Sequence, residues 1–297
     1  MEKKSYMLSM LSLMRPGQWI KNIFVFTGVI FAKAFEVPQL LLEASLTAFA
    51  FCLVSSAVYI FNDIIDKESD KIHPEKKNRP LASGRISFFS AGIFDVFLLI
   101  SGLLLGFFIS GKVFLILILY VILNLLYCLQ LKQVVILDVF CIATGFMLRI
   151  LAGTWGIGIP PSKWLLLCGL MITLFLGFTK RRAESAILQE SGAQHRKVLQ
   201  NYGDTFLDQI IAICACCVII GYSLYTMSPE TIAIHKTDNL IYTVPFVIYA
   251  LFRYMYLLYH EKGAGDPSTD IFKDRHILFS VFAWAALSMY LLSGHTQ

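Results

Sequence analysis

Charged side chains are scarce in this chain. Asp, Glu, Lys and Arg make up 15% of the 297 residues, whereas a soluble domain of that length carries about a quarter. The scarcity excludes an ordinary soluble domain, and the mean hydropathy of +0.68 agrees with that exclusion. The apolar residues come in runs long enough to cross a hydrocarbon core of ~30 Å, which needs about 20 helical residues. The sequence therefore predicts an all-α, multi-pass protein embedded in a lipid bilayer.

Three other features are missing. No basic run is interleaved with aromatic residues, so we expect no nucleic-acid partner. The N-terminal segment lacks a small-residue cleavage site after its short apolar run, so we predict no cleaved signal peptide. The seven cysteines are an odd number and all fall within apolar segments. The odd number argues against a disulfide framework or a zinc site, and the run CACC at 214–217 predicts small packing residues.

Nine apolar segments predict nine transmembrane helices. They are 18–36, 41–61, 87–109, 112–130, 134–157, 163–180, 206–227, 240–259 and 276–294. Lys and Arg are divided unequally between the two sides that these spans define. Nineteen lie in segments 1–21, 62–86, 130–133, 180–205 and 260–275, against four on the other side. The positive-inside rule therefore predicts a cytoplasmic N-terminus and cytoplasmic loops at 62–86, 180–205 and 260–275.

The loop 62–86 holds the most informative polar cluster. Asn62, Asp66 and Asp70 are spaced by four, so on a helix they share one face, and Asp63 lies about 100° away. Stacked carboxylates repel one another at this spacing unless a cation lies among them. Two carboxylates and an amide oxygen suit Mg²⁺, which also takes water and substrate phosphate as ligands. The alternative is a solvated loop whose acids only offset its lysines.

Two cations follow this cluster. Arg79 can bind a phosphate with two parallel hydrogen bonds, and Lys76 can act on it as a point charge. A metal site beside fixed cations predicts a site for a diphosphate.

The pattern N-D-x-x-D-x-x-x-D followed by R-P-L-A-S-G at 79–84 resembles the first aspartate-rich motif of the UbiA superfamily of intramembrane prenyltransferases. The resemblance implies a single transmembrane domain over 1–297. It further implies nine helices around a central cavity that opens to the cytoplasm. In that family Mg²⁺ holds the substrate diphosphate, so the resemblance gives Asn62, Asp66 and Asp70 as metal-binding and catalytic residues.

The second motif departs from the common family pattern. Most members carry a second aspartate pair after the sixth span, whereas here "KRRAE" at 180–184 is basic. Together with "RPGQWIKN" at 15–22 and "DPSTDIFKDR" at 266–275, it resembles the polyprenyl-phosphate phosphoribosyltransferase branch, which includes the decaprenyl-phosphate phosphoribosyltransferases. That branch joins a polyprenyl phosphate from the bilayer to 5-phosphoribose from phosphoribosyl pyrophosphate (PRPP), and pyrophosphate leaves. A bacterial inner-membrane enzyme of envelope glycan synthesis is implied.

The substrate-binding residues that we expect are the polar and aromatic side chains near the cytoplasmic ends of the spans: Lys21, Asp63, Lys76, Arg79, Tyr127, Lys132, Lys180, Arg181, Arg182 and Glu184. Arg149 lies deep inside a span, where a charge is costly, and we predict a structural pairing with Asp138 or a backbone carbonyl.

Two other functions remain as alternatives. One is an aromatic prenyltransferase of quinone or haem synthesis, which labelled PRPP and labelled prenyl diphosphate would distinguish. The other is a lipid or ion transporter, whose charged residues would lie near the bilayer midplane and not at one interface.

Overall fold

The computed structural model describes residues 2–72, 76–191, 202–260 and 273–292, in which every regular element is helical. The α-helices are α1 Glu2–Leu13, α2 Thr27–Phe31, α3 Pro38–Ile65, α4 Lys67–Ile72, α5 Phe88–Ile109, α6 Gly111–Leu129, α7 Leu137–Ala152, α8 Lys163–Ser191, α9 Asp204–Met227, α10 Pro229–His235, α11 Val244–His260 and α12 Arg275–Leu292. Short 3₁₀ helices join several of them: Ala34–Glu36, Lys76–Asn78, Leu131–Gln133, Trp155–Ile157 and Asn239–Thr243.

Within the described residues, 8 helices are long and apolar enough to cross a membrane. They correspond to eight of the nine predicted spans. The first predicted span, 18–36, is built differently, because the 3₁₀ helix Pro16–Phe26 occupies its first half and continues into α2. An all-helical membrane architecture is therefore confirmed, and the exact count of nine stays a prediction.

Serine caps mark where several helices begin. The side chain of Ser87 accepts a hydrogen bond from the amide of Ser90 at 3.1 Å. That of Ser110 accepts one from Val113 at 3.0 Å. Such caps satisfy amide groups that the first helical turn leaves without partners. Ser110 also separates α5 from α6 with an extended backbone, so the two apolar runs become two helices.

The chain divides into two compact units. Unit 1 comprises 1–131 and 144–161, and unit 2 comprises 132–143 and 162–297. In unit 1, α3 packs against α5 and α6 around fully buried residues such as Phe51. In unit 2, α8 packs against α9 around Phe175 and Ile211. The prediction of one domain over the whole chain stays a prediction.

Two glycines in unit 1 allow an unusually close backbone approach. A Cβ atom at Gly153 would lie 1.7 Å from the carbonyl oxygen of Val25. One at Gly28 would lie 2.2 Å from the side chain of Thr154. Since no side chain fits at either distance, the end of α7 and the segment before α3 touch directly through their backbones.

Candidate active site

The carboxylate ladder lies where α3 passes into α4. The amide of Asp66 donates to the carbonyl of Asn62 at 2.9 Å, and the amide of Asp70 donates to that of Asp66 at 2.8 Å. Helical hydrogen bonding therefore continues through the junction. Asn62, Asp66 and Asp70 share one face, and the spacing on which the metal site was predicted is present.

Arginines bind two of the carboxylates. Asp63 and Asp70 are each only 3% exposed. Arg79 bridges them, because its Nη1 lies 3.1 Å from Asp63 and 2.6 Å from Asp70. Arg15 forms a second ion pair with Asp63. The buried acids are thus neutralised by guanidinium groups, which lowers the cost of placing them away from water.

The ladder's chemistry fits a hard divalent cation. Its donors are two carboxylates and the Asn62 carboxamide, whose oxygen accepts a hydrogen bond from the Cys128 thiol at 3.2 Å. Mg²⁺ usually takes only one or two protein carboxylates and completes its shell with water and phosphate. The described residues contain no group of three His, Cys, Asp or Glu placed to hold a metal. A complete ligand set for the cation therefore needs the side-chain amide oxygen of Asn62 and oxygens from water or substrate phosphate.

Four other predicted substrate-binding residues lie on separate elements. Lys21 lies within Pro16–Phe26, Lys76 starts a 3₁₀ turn, Tyr127 lies in the last turn of α6 and Lys132 lies in the turn after it. All four side chains are half-buried. Sequence reasoning named them individually, whereas it missed Arg15 as a partner of Asp63, although Arg15 opens the 15–22 motif.

The basic motif after the sixth predicted span forms a buried cluster in unit 2. The side chain of Arg181 is 2% exposed, and its Nε lies 2.7 Å from Asp138. Its Nη1 pairs with Glu184. Asp138 also accepts a hydrogen bond from the Tyr202 hydroxyl at 2.6 Å. Burial and this bond to a carboxylate raise the pKa of Tyr202. Arg181 is therefore bound to two carboxylates of the protein itself.

Arg182 joins the end of α8 to the start of α9. Its Nε donates to Asp208 at 2.8 Å, and Ser185 donates to Asp204 at 2.9 Å. Sequence reasoning placed Arg181, Arg182 and Glu184 together and missed Asp138 as a partner of Arg181 and Asp204 and Asp208 as partners of Arg182. The one available signal was the spacing of four between Asp204 and Asp208 in the first turns of a helix.

Each cluster includes a strained backbone position. Arg15 and Ile136 have φ values of 51° and 69°, a region that side chains rarely adopt, least of all β-branched ones. The amide of Ile136 donates to the Tyr202 hydroxyl at 2.6 Å. Such strain persists only where surrounding contacts hold it, and it concentrates at functional sites.

Arg149 makes no pair with Asp138, which binds Arg181. It donates to the carbonyl of Gly145 at 2.8 Å, so the carbonyl alternative of the prediction is confirmed, and also to Asn22 at 2.8 Å. The "DPSTDIFKDR" motif lies outside the described residues except for 273–275.

Comparison with known proteins agrees with this architecture. The decaprenyl-phosphate phosphoribosyltransferase of Mycolicibacterium smegmatis is 28% identical over 290 residues, covering 95% of this chain and 91% of that protein. The enzyme of the same name from Corynebacterium glutamicum is 31% identical over 294 residues, covering 95% and 87%. A solved structure of a UbiA homolog from Archaeoglobus fulgidus bound to GPP and Mg²⁺ shares the fold, with a TM-score of 0.70 at 18% identity, covering 96% of this chain and 99% of that one.

The family assignment rests on a match along most of the chain. The sequence model of the UbiA prenyltransferase family matches residues 22–273, a range that contains the carboxylate ladder, the R-P-L-A-S-G segment and the basic motif. The helical architecture and the solved homolog are consistent with it. This integral membrane protein therefore belongs to the UbiA prenyltransferase family.

Proposed function

We propose that this protein transfers 5-phosphoribose from PRPP to a polyprenyl phosphate and releases pyrophosphate. The observation that carries the proposal is the similarity, over 95% of the chain, to relatives named decaprenyl-phosphate phosphoribosyltransferase. Lys180 of the second motif supports it, because a donor with two phosphate-bearing ends needs more fixed cations than a simple prenyl diphosphate does.

The reaction needs little from the protein beyond binding and charge. A phosphate oxygen of the lipid attacks the anomeric carbon of the ribose, and the bond from that carbon to pyrophosphate breaks. Because the attacking phosphate is already an anion, no strong general base is required. Fixed positive groups that bind pyrophosphate more tightly as its charge develops supply most of the catalysis.

We assign Mg²⁺ to the ladder of Asn62, Asp66 and Asp70. When bound, the ion stabilises negative charge that develops on the departing pyrophosphate. Arg79 holds Asp63 and Asp70 at 3.1 and 2.6 Å and places a fixed positive charge beside the ladder. The remaining donor contacts in the proposal come from Lys21, Lys76, Tyr127, Lys132 and Lys180.

The basic motif divides into two roles in this proposal. Arg181, Arg182 and Glu184 hold the geometry of unit 2 through their ion pairs with the protein. Lys180, half-buried at the same end of α8, contacts the PRPP phosphates. The protein lies in a bacterial inner membrane and its site opens to the cytoplasm. The lipid product feeds envelope glycan synthesis.

Mass spectrometry of the lipid product tests the function. Purified protein is incubated with PRPP, a polyprenyl phosphate and Mg²⁺, and in parallel with a prenyl diphosphate and an aromatic acceptor. We expect a polyprenyl-phosphoribose lipid and one pyrophosphate per lipid formed, in the first incubation only. Prenylation of the aromatic ring, with no phosphoribosyl lipid, would assign the protein to the other branch.

A further inference from the structure

The segment Pro16–Phe26 has an unusual helical geometry. Its eleven residues form a 3₁₀ helix, whereas 3₁₀ runs longer than three or four residues are uncommon because their hydrogen bonds are poorer than those of an α-helix. Local preference therefore does not explain it. Contacts with the rest of unit 1 must favour this geometry over the α-helix.

Helix α3 supplies contacts with a matching spacing. The Trp19 indole donates to Ser56 at 3.1 Å, and the Asn22 amide donates to the sulfur of Cys52 at 3.1 Å. Residues three apart in the segment thus meet residues four apart on α3. Three 3₁₀ residues and four α residues both advance roughly 6 Å, whereas three α residues advance about 4.5 Å. The 3₁₀ geometry keeps both contacts, and an α-helix would lose one.

Arg149 holds Asn22 from the opposite side. Its Nε donates to the Asn22 oxygen at 2.8 Å, and its Nη2 donates to the Tyr120 hydroxyl at 3.0 Å. Its guanidinium also lies 5.3 Å from the ring centre of Phe51 and 5.5 Å from that of Phe146. Among the described residues no carboxylate pairs with it, so its hydrogen bonds and ring contacts stabilise the buried charge. The Asn22 carboxamide is thereby fixed at both its nitrogen and its oxygen.

The helical geometry of this segment sets the direction of the preceding side chain, Lys21. In a 3₁₀ helix, residues three apart lie on one face. Asn22 and Val25 are buried, Ile20 and Ile23 are exposed, and Lys21 lies on the third face. Counted back from Val25, an α-helix would turn Lys21 by about 80° toward the buried face and move it by about 2 Å.

We infer that Arg149 is a positioning residue, which imposes the 3₁₀ geometry through Asn22 and so directs Lys21 toward PRPP. The inference rests on the proposed function only in its last step, the contact between Lys21 and the donor.

A double-mutant cycle tests whether Arg149 acts through Lys21. We expect Arg149→Met to lower kcat/KM for PRPP about tenfold, with the lipid KM unchanged, and to cost less than about twofold in a Lys21→Ala background. Tyr120→Phe is the matched control, because it removes one partner of Arg149 and leaves Asn22 in contact. Additive losses in the double mutant would overturn the inference.

A second measurement does not depend on the reaction. In Lys21→Cys protein, maleimide labelling of residue 21 is followed by peptide mass spectrometry, with a second cysteine introduced at the exposed Ser69 as an internal reference. Because rotation buries residue 21, we expect Arg149→Met to slow its labelling about threefold or more. Tyr120→Phe should leave the rate unchanged.

The outcomes separate the two proposals. Slowed labelling in a protein without phosphoribosyl transfer would uphold the role of Arg149 and reject the proposed function. Unchanged labelling would overturn the role of Arg149 whatever the activity. Should Arg149→Met fail to fold, Asn22→Ala opens the same contact without altering the charge, and unchanged labelling in that variant overturns the inference equally.

Discussion

At the scale of single residues, the acids of the loop 62–86 differ sharply in their surroundings. Asp70 is buried against Arg79, whereas Glu68 is exposed and pairs with Lys71 at 2.8 Å. The hydrogen bond from Lys71 lowers the pKa of Glu68, so that group is ionised at neutral pH. Glu68 is therefore a control of equal charge for Asp70, the proposed metal ligand.

We expect Asp66→Ala and Asp70→Ala each to lower turnover by about 100-fold or more, because each removes a proposed ligand of the Mg²⁺ that would stabilise the leaving pyrophosphate. Excess EDTA should abolish turnover by the wild-type protein. Glu68→Ala is the control and should retain normal rates. Steady-state kinetics with PRPP varied make the measurement, and full activity in EDTA would contradict the assignment.

Lys180 and Arg181 are adjacent and should respond differently. Lys180→Ala should lower kcat/KM for PRPP while the lipid KM stays within about threefold of wild type, because in our proposal Lys180 contacts the PRPP phosphates and not the lipid. Arg181→Met leaves the buried Asp138 and the half-buried Glu184 without their cation, and the protein should lose about 3–5 kcal/mol of stability. Kinetics and thermal unfolding in detergent separate the two effects. A lipid-specific defect in Lys180→Ala would refute its role.

At the scale of whole elements, the contact of Gly153 with Val25 depends on a missing side chain. Gly153→Ala places a Cβ atom 1.7 Å from a backbone oxygen, so the segments must separate. We expect a loss of a few kcal/mol, as in overpacked cores. Gly92→Ala in α5 meets nothing within 4 Å and should be neutral or slightly stabilising. Equal melting temperatures for the two variants would show that the close approach is absent.

The start of α12 depends on one carboxylate. Asp274 accepts a hydrogen bond from the Ile277 amide at 2.9 Å and pairs with Arg253 at 2.8 Å. The Arg253 hydrogen bond is the main cause that lowers the pKa of Asp274 from its ordinary 3.8. A lowered pKa means that the stabilisation is present above about pH 4 and is lost as the pH falls through the folded-state value.

Asp274→Asn should therefore flatten the acid side of the stability curve, because asparagine keeps a cap oxygen but does not titrate. Melting temperatures of both proteins between pH 6 and pH 3 give the comparison. A fall of the same size in both would show that other groups cause the acid sensitivity.

Local sequence patterns predicted the helices better than they predicted which side chains contact each other across the chain. The spacing of Asn62, Asp66 and Asp70 is local, so a helix alone brings them to one face. The partner of Arg149 is Asn22, 127 residues away, and no local pattern indicates that contact. An apolar run also does not reveal whether its helix is α or 3₁₀, so the geometry of Pro16–Phe26 required the contacts of α3.

At the scale of the whole molecule, the distribution of Lys and Arg predicts which side of the membrane each loop faces. A cysteine introduced at the exposed Ser69 should react with an impermeant thiol reagent in inside-out vesicles and not in intact cells. Cysteine at Lys236, on the opposite side by the same rule, should show the reverse. Labelling of Ser69→Cys in intact cells would show that the orientation is the opposite one and would exclude a cytoplasmic donor.

The pocket of Arg149 also has a consequence for biogenesis. A lone arginine in the middle of a helix costs about 2.5–3.5 kcal/mol to insert through the translocon. The groups that receive it from other elements, Asn22, Phe51 and Tyr120, all precede it in the chain. They therefore leave the ribosome first, and α7 can enter the bilayer beside partners already in place. Deletion of the first 31 residues should then impair the insertion of α7, far from the deletion itself.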